Sequence, residues 1–211
     1  MAVARLRLES VEFLAGKFVL TMRVIAGKFR SRPLQSLRGL EIRPTSDRLR
    51  ETLFNVLTAG NPEALAGSTW LDLFAGTGAV GIEALSRGAD MVHFVESSTD
   101  ACDVIAANLG SLGLKTGFEI LRQEVSRALP ALERKDIRPH FIFLDPPYKL
   151  RNAYGETLDW LGKSELGTRA LVMVEYQKKF DSGDQFGALR RFRVLPQGDA
   201  ALSFYRRDDG S

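Results

Sequence analysis

Two short stretches carry residue types and spacings that can do chemistry. The first is Leu71-Asp72-Leu73-Phe74-Ala75-Gly76-Thr77-Gly78-Ala79-Val80-Gly81, an apolar run holding one carboxylate and ending in a glycine turn. The second is Phe141-Ile142-Phe143-Leu144 followed by Asp145-Pro146-Pro147-Tyr148. Each reads as a buried strand that delivers polar groups at its carboxyl end. In an open α/β sheet those ends face a common crevice.

Gly76, Gly78 and Gly81 fit the pattern G-x-G-x-x-G between a strand and a helix. Glycines there let the backbone approach a nucleotide closely. Glu96, 20 residues after Gly76, ends the next apolar run. An acid at that place accepts hydrogen bonds from ribose hydroxyls. Phe74, Ala75 and Ser97 flank these positions, and Glu124 stands after the third strand, where it can meet an adenine edge. These features serve NAD and other adenosine cofactors equally well. Asp72 separates them. A carboxylate inside an apolar run needs a partner or a function. A dinucleotide brings two negative phosphates to the turn, whereas S-adenosyl-L-methionine brings an ammonium and a sulfonium. The plain alternative is that Asp72 binds loop amides or an arginine.

Asp145-Pro146-Pro147-Tyr148 suits transfer of a methyl group to an aromatic amine. Such a nitrogen is a poor nucleophile because its lone pair is delocalised into the ring. The Asp145 carboxylate and the Pro146 carbonyl can accept its two N–H bonds and aim the lone pair, while two prolines stiffen the turn. Tyr148 offers a ring on which an extruded base can stack. The plain alternative is a proline turn that merely ends a strand.

The elements that position these groups follow from periodicity. Strands are expected over 69–75, 91–95, 117–121, 141–144, 170–175, 191–195 and 201–206, with helices over 79–87, 99–110, 125–134 and 155–162. Apolar strands alternating with helices predict a mostly parallel seven-stranded α/β sheet of Rossmann-like type, covered on both faces. Pro196-Gln197-Gly198-Asp199 is too short for a crossover helix, so the last two strands form an antiparallel hairpin. Upstream, Met22 to Arg43 reads as a small basic β-hairpin, and a helix runs from Asp47 to Thr58 with Leu49, Leu53, Val56 and Leu57 on its core face. Arg48, Glu51, Thr52 and Asn55 take the opposite side. The expected units are a non-native or disordered extension over 1–21, a hairpin and helix over 22–62, and a catalytic domain over 63–207.

Charge is unevenly placed. Residues 1–50 hold 11 Lys+Arg against 4 Asp+Glu, and the remaining chain holds 18 against 22. A basic arm on a mildly acidic body fits a polyanion, most simply nucleic acid. Arg23, Lys28, Arg30, Arg32 and Arg43, interleaved with Phe29, can follow a phosphate backbone, and Arg48 lies beside them. A solvated basic face is the plain alternative. The single cysteine, Cys102, excludes an internal disulfide framework and fits a reducing compartment. It reads as a core residue, not a nucleophile. Two histidines and one cysteine, far apart, give no metal-ligand spacing. No run of about 18 apolar residues exists, so a cytoplasmic protein without a membrane span, and a monomer, is expected.

With these motifs in order, the chain resembles the Class I S-adenosylmethionine-dependent methyltransferases that modify amino groups. More narrowly, Gly39 to Asn55, with Arg43-Pro44-Thr45-Ser46-Asp47-Arg48 at its centre, is similar to the signature of the RsmD family. The resemblance runs from about Met22 to Arg206. It implies methylation of guanine N2 in small-subunit ribosomal RNA, within a small ribosomal subunit or an assembly intermediate. It also implies cofactor contacts at Asp72, Phe74, Gly76, Gly78 and Glu96, amine contacts at Asp145, Pro146 and Tyr148, and RNA contacts from the arginine-rich start through Arg48. Glu124-Val125 departs from the usual Asn or Asp followed by Ala, and Ser97-Ser98 replaces a more usual charged continuation. The other classes left open are an NAD-dependent oxidoreductase, a DNA adenine-N6 methyltransferase and a non-catalytic RNA-binding protein.

Overall fold

A computed structural model describes residues 18–37, 47–147 and 149–208. The chain opens with β1 (Phe18–Arg23), a 3-10 turn (Gly27–Phe29) and β2 (Pro33–Leu37), then α1 (Asp47–Leu57). The main unit follows as β3 (Thr69–Leu73), α2 (Ala79–Ser86), β4 (Met91–Glu96), α3 (Thr99–Ser111), β5 (Phe118–Arg122), α4 (Val125–Arg134), β6 (Phe141–Leu144) and α5 (Arg151–Leu161). After a second 3-10 turn (Glu165–Gly167) come β7 (Leu171–Gln177), β8 (Gln185–Phe186), β9 (Leu189–Gln197) and β10 (Ala200–Arg207).

The sheet order is β5-β4-β3-β6-β7-β10-β9-β8. From β5 through β7 every pairing is parallel, while β10 runs antiparallel to both β7 and β9. From β3 the chain first builds outward to β4 and β5, then returns to place β6 on the other side. That reversal opens a crevice at the carboxyl ends of β3 and β6, where both chemistry-bearing stretches emerge.

The expected seven strands are present, and β8 adds an eighth. It is a two-residue pairing of Gln185 with Arg190 and Phe186 with Leu189, too short to leave a period in the sequence. The boundary expected at Met22 falls inside β1, since Phe18 to Leu20 already pair with Leu37 to Gln35. Helix α5 starts at Arg151, four residues before the expected 155.

Two apolar layers sandwich the sheet. One packs α1, α2, α3 and the hairpin on one face; the other packs α4 and α5 on the opposite face. Across the first layer Phe54, Trp70 and Phe141 stack with ring centroids 5.5 and 4.8 Å apart. This stack adds Phe54 to the expected core face: Leu49, Leu53 and Phe54 are fully buried, and Val56 and Leu57 are half-buried and pack against the same core. Arg50 is also fully buried, its guanidinium donating to the Arg23 carbonyl (2.6 Å) and to Asp47 (2.8 Å). A helix surface residue by pattern therefore binds α1 to the hairpin. Among the described residues no helix is long and apolar enough to cross a membrane.

Candidate active site

The glycine turn is built from both sides by carboxylates. Asp72, buried on β3, accepts the amide of Gly81 in the first turn of α2 (2.9 Å). An anion at that helix end satisfies a backbone donor that has no intrahelical partner. Glu96, at the end of β4, accepts the amides of Gly76 (2.9 Å) and Ser98 (2.8 Å). The Gly78 amide closes the turn on the Ala75 carbonyl (2.8 Å). Phe74, Gly76 and Gly78 all have positive φ, at 61°, 56° and 75°. For Phe74 this is an uncommon backbone state, held by its neighbours. At Gly81 the requirement is space: a Cβ would stand 2.3 Å from a ring carbon of Phe94. Helix α2 thus lies closer to β4 than any other residue would allow.

Burial pushes the Asp72 carboxyl up to about 7, against the pull of the Gly81 amide and with a further push from the Glu96 charge. The plain alternative for Asp72, a loop amide, is therefore part of the answer. One oxygen carries the Gly81 bond, and the carboxylate still stands where a cation would lower its proton affinity.

The second stretch lies on the neighbouring strand. Leu73 pairs with Leu144, and the Asp145 amide donates to the Leu73 carbonyl (3.4 Å). Asp145 is half-buried and Pro146 buried. The Pro146 carbonyl accepts the hydroxyl of Tyr154, a buried residue of α5 whose ring packs on Phe180 at 4.9 Å. Loss of water raises the Asp145 carboxyl well above the usual range, and the charges of Glu175 and Asp72 raise it further. Three carboxylates, Asp72 in β3, Asp145 directly after β6 and Glu175 in β7, therefore lie close enough to act on one another. Tyr148 lies outside the described residues.

Beside this pair opens a cleft of about 770 Å³ lined by Phe74, Glu124, Val125, Leu150, Arg151 and Trp160, among others. Glu124, exposed at the start of α4, thus shares a cavity with Phe74. Ala75 and Gly76 are half-buried in the turn. Ser97 is exposed, while Ser98 caps α3 by accepting the Ala101 amide (3.3 Å). Cys102 is buried in α3, and burial pushes its thiol up.

Among the described residues, the expected RNA-binding cations do not form one cluster at the crevice. Lys28 and Arg30, both exposed, flank Phe29, whose amide donates to Ser86 Oγ (3.0 Å) at the far end of α2 from the glycine turn. Arg32 donates to the Ser111 carbonyl at the end of α3 (2.7 Å). Arg23 is exposed beside Asp47 (3.9 Å). Arg48 is exposed on α1, one turn before Thr52, which reaches Gln197 at the crevice end of β9 (3.2 Å). Arg43 lies outside the described residues.

Three polar residues of this region escape notice in the sequence. Glu175 ends the apolar run Leu171-Val172-Met173-Val174, the same signal that marks Asp72, but no motif accompanies it. Tyr154 has the profile of an ordinary core aromatic. Glu83, fully buried in α2, accepts the Ile25 and Ala26 amides (2.8 and 3.0 Å) and so seats the hairpin. Nothing local in the sequence marks that pairing.

Comparison with known proteins gives the same architecture. The solved structure of yhhF from Escherichia coli superposes with a TM-score of 0.74 at 28% identity, covering 90% of this chain and 99% of that one. YlbH of Bacillus subtilis is 40% identical over 187 residues, 88% of this chain and 99% of its own. Ribosomal RNA small subunit methyltransferase D of Escherichia coli strain K12 is 36% identical over 190 residues, 89% and 90% of the two chains. The model of the family described as conserved hypothetical protein 95 matches residues 22–206, so the chain belongs to that family and is a Class I methyltransferase in fold.

Proposed function

We propose that the protein transfers a methyl group from S-adenosyl-L-methionine to the exocyclic N2 amine of a guanine in small-subunit ribosomal RNA. The observation that carries this reading is the meeting of Asp72 and Asp145 at the ends of adjacent strands, linked through the Asp145 amide on the Leu73 carbonyl. The relatives named ribosomal RNA small subunit methyltransferase D support the nucleic acid substrate. We place its action in the cytoplasm, on RNA within a small ribosomal subunit or its assembly intermediate.

The residues present fit the cofactor. A buried carboxylate with raised proton affinity at Asp72 suits a cationic ligand, because a positive charge beside it offsets the cost of ionisation. Glu96 ends β4 with one oxygen on the Gly76 amide of the turn and the other on the Ser98 amide, and each retains acceptor capacity for a ribose hydroxyl. Phe74 and Glu124 line the adjoining cleft, which has room for an aromatic base. When bound, S-adenosyl-L-methionine supplies a methyl group on a positively charged sulfur.

The protein's own part is to hold and orient the amine. The Asp145 carboxylate and Pro146 carbonyl accept its N–H bonds and fix the direction of the lone pair. Burial and the Glu175 charge make Asp145 a better proton acceptor than an ordinary carboxylate, which suits it to take the proton that the methylated amine releases. Tyr148 follows in sequence and supplies a ring on which a flipped base can stack. The arginines before and on α1 meet the RNA backbone.

The test is calorimetry with S-adenosyl-L-methionine and NAD, followed by transfer of a tritiated methyl group to RNA and ribosomal particles from a strain lacking the gene. Asp145→Ala should retain cofactor and RNA binding and lose methyl transfer by about 100-fold or more. Binding of NAD with none of S-adenosyl-L-methionine, or label on any base atom other than guanine N2, would overturn the assignment.

A further inference from the structure

The side chain of Asn108 joins two parts of the molecule that the proposed function keeps separate. Asn108 is fully buried near the end of α3. Its Oδ1 accepts the Gln35 amide of β2 (2.7 Å), and its Nδ2 donates both to the Gln35 carbonyl (3.1 Å) and to the Thr77 carbonyl (3.1 Å). One residue of the hairpin therefore has both backbone groups bound by one amide, as a strand neighbour would bind them. The remaining N–H reaches into the glycine turn, between Gly76 and Gly78. Only one orientation of the amide serves these three partners, since an N–H requires the oxygen and two carbonyls require the nitrogen.

No other side chain does this. Aspartate lacks both donors, leucine lacks every polar atom, and glutamine is one carbon too long for the same three contacts. Thr77 has glycines on both sides, each at positive φ, so its peptide planes have alternatives that an external bond removes. Gln35 stands two residues before the end of β2, and the chain from there leads to Arg43 and Arg48. The hairpin is also seated by Glu83 and Ser86, but those contacts lie on α2 and do not touch the turn.

We propose that Asn108 is a positioning residue that registers the RNA-holding hairpin against the cofactor-holding turn, so that binding at one is felt at the other. This rests on the functional reading above. A ligand that orders the turn favours the position of the Thr77 carbonyl that Asn108 binds, and with it the seat of Gln35; by reciprocity, RNA on the hairpin favours the ordered turn.

The experiment measures S-adenosylhomocysteine binding by calorimetry, with and without a ribosomal RNA fragment, in the wild type and in Asn108→Leu. The wild type should bind more tightly with RNA present, and the variant should lose that enhancement while its own Kd rises about tenfold. A folded variant with unchanged Kd and unchanged enhancement would overturn the proposal and leave Asn108 a packing residue. Should the variant not fold, hydrogen exchange of the Gln35 amide in the wild type decides. Slowing on addition of S-adenosylhomocysteine supports the link, and an unchanged rate overturns it. Failure of the wild type to bind S-adenosylhomocysteine at all would reject the cofactor reading itself.

Discussion

The hydroxyl of Tyr154 donates to the carbonyl oxygen of Pro146 at 3.2 Å. That carbonyl is the one assigned to the amine, and Pro146 supplies no backbone N–H to anchor the turn. Tyr154 provides the anchor from α5, with its own ring fixed against Phe180. Tyr154→Phe keeps the ring and removes the bond. Steady-state kinetics should show kcat reduced about fivefold, the equivalent of one hydrogen bond near 1 kcal/mol, with S-adenosylhomocysteine affinity unchanged. An unaltered kcat would leave Tyr154 as a core aromatic only.

Glu175 and Asp145 repel one another across the ends of β7 and β6, and this repulsion adds to burial in raising the Asp145 carboxyl. If the ionised carboxylate holds the amine, the rate rises with pH as Asp145 loses its proton. Glu175→Gln removes one negative charge, so Asp145 ionises more readily and the rising limb moves to lower pH. The pH dependence of kcat/KM for both proteins checks the sign. A shift to higher pH, or none, would exclude Asp145 as the group that titrates.

Asp72 carries a pH signature of its own. Its folded-state value of about 7 stands above the ordinary 3.8, so the folded protein keeps a proton that the unfolded chain has released. Stability from this group is full below the unfolded value, declines as pH rises from about 4, and is lost above about 7. The difference is on the order of 4 kcal/mol, at roughly 1.4 kcal/mol for each tenfold change in proton affinity. Asp72→Asn keeps an acceptor for the Gly81 amide and removes the titration. Urea denaturation at pH 5 and pH 8 should find the wild type losing stability relative to the variant at the higher value. Affinity for S-adenosyl-L-methionine should move the other way in the wild type, rising with pH up to about 7 as the carboxylate becomes available to a cation. The variant should show neither trend.

Much of this site is legible in the chain because its signals are local. Asp72 is a carboxylate in an apolar run, the glycines keep fixed spacing, and Asp145 follows an apolar strand directly. The alternation of strands and helices likewise determines the sheet, since each element buries a face of recognisable period. What is not legible depends on partners distant in sequence. Arg50 resembles a solvated helix residue until Arg23 and Asp47 close around it. Asn108 resembles a polar residue on α3 until β2 and the glycine turn meet on it. Strand β8 has two residues and no period at all. Lys28, Arg30 and Arg48 are recognisable as cations, but only the docking of the hairpin on α2 separates the first two from the third.

That separation makes a prediction about RNA. Lys28 and Arg30 lie beyond Ser86, at the far end of an eight-residue helix about 12 Å long, whereas Arg48 lies one turn before Thr52, which meets Gln197 at the opposite, carboxyl end of the sheet. Cations on a phosphate backbone act through counterion release, so each lost contact should lower the slope of log affinity against log salt by about 0.7 to 0.9. Lys28→Ala with Arg30→Ala should weaken RNA binding and reduce that slope without changing kcat at saturating RNA. Arg48→Ala should also weaken binding, and should lower kcat as well, because a cation beside the crevice helps to orient the strand that carries the target base. Arg32 is a poor choice for the same measurement. Its guanidinium also holds the Ser111 carbonyl, so Arg32→Ala combines lost charge with a loosened hairpin. Filter binding across a salt series, with single-turnover rates on the same RNA, distinguishes the two groups. Equal slopes for wild type and the Lys28, Arg30 double variant would show that the RNA does not reach the hairpin turn.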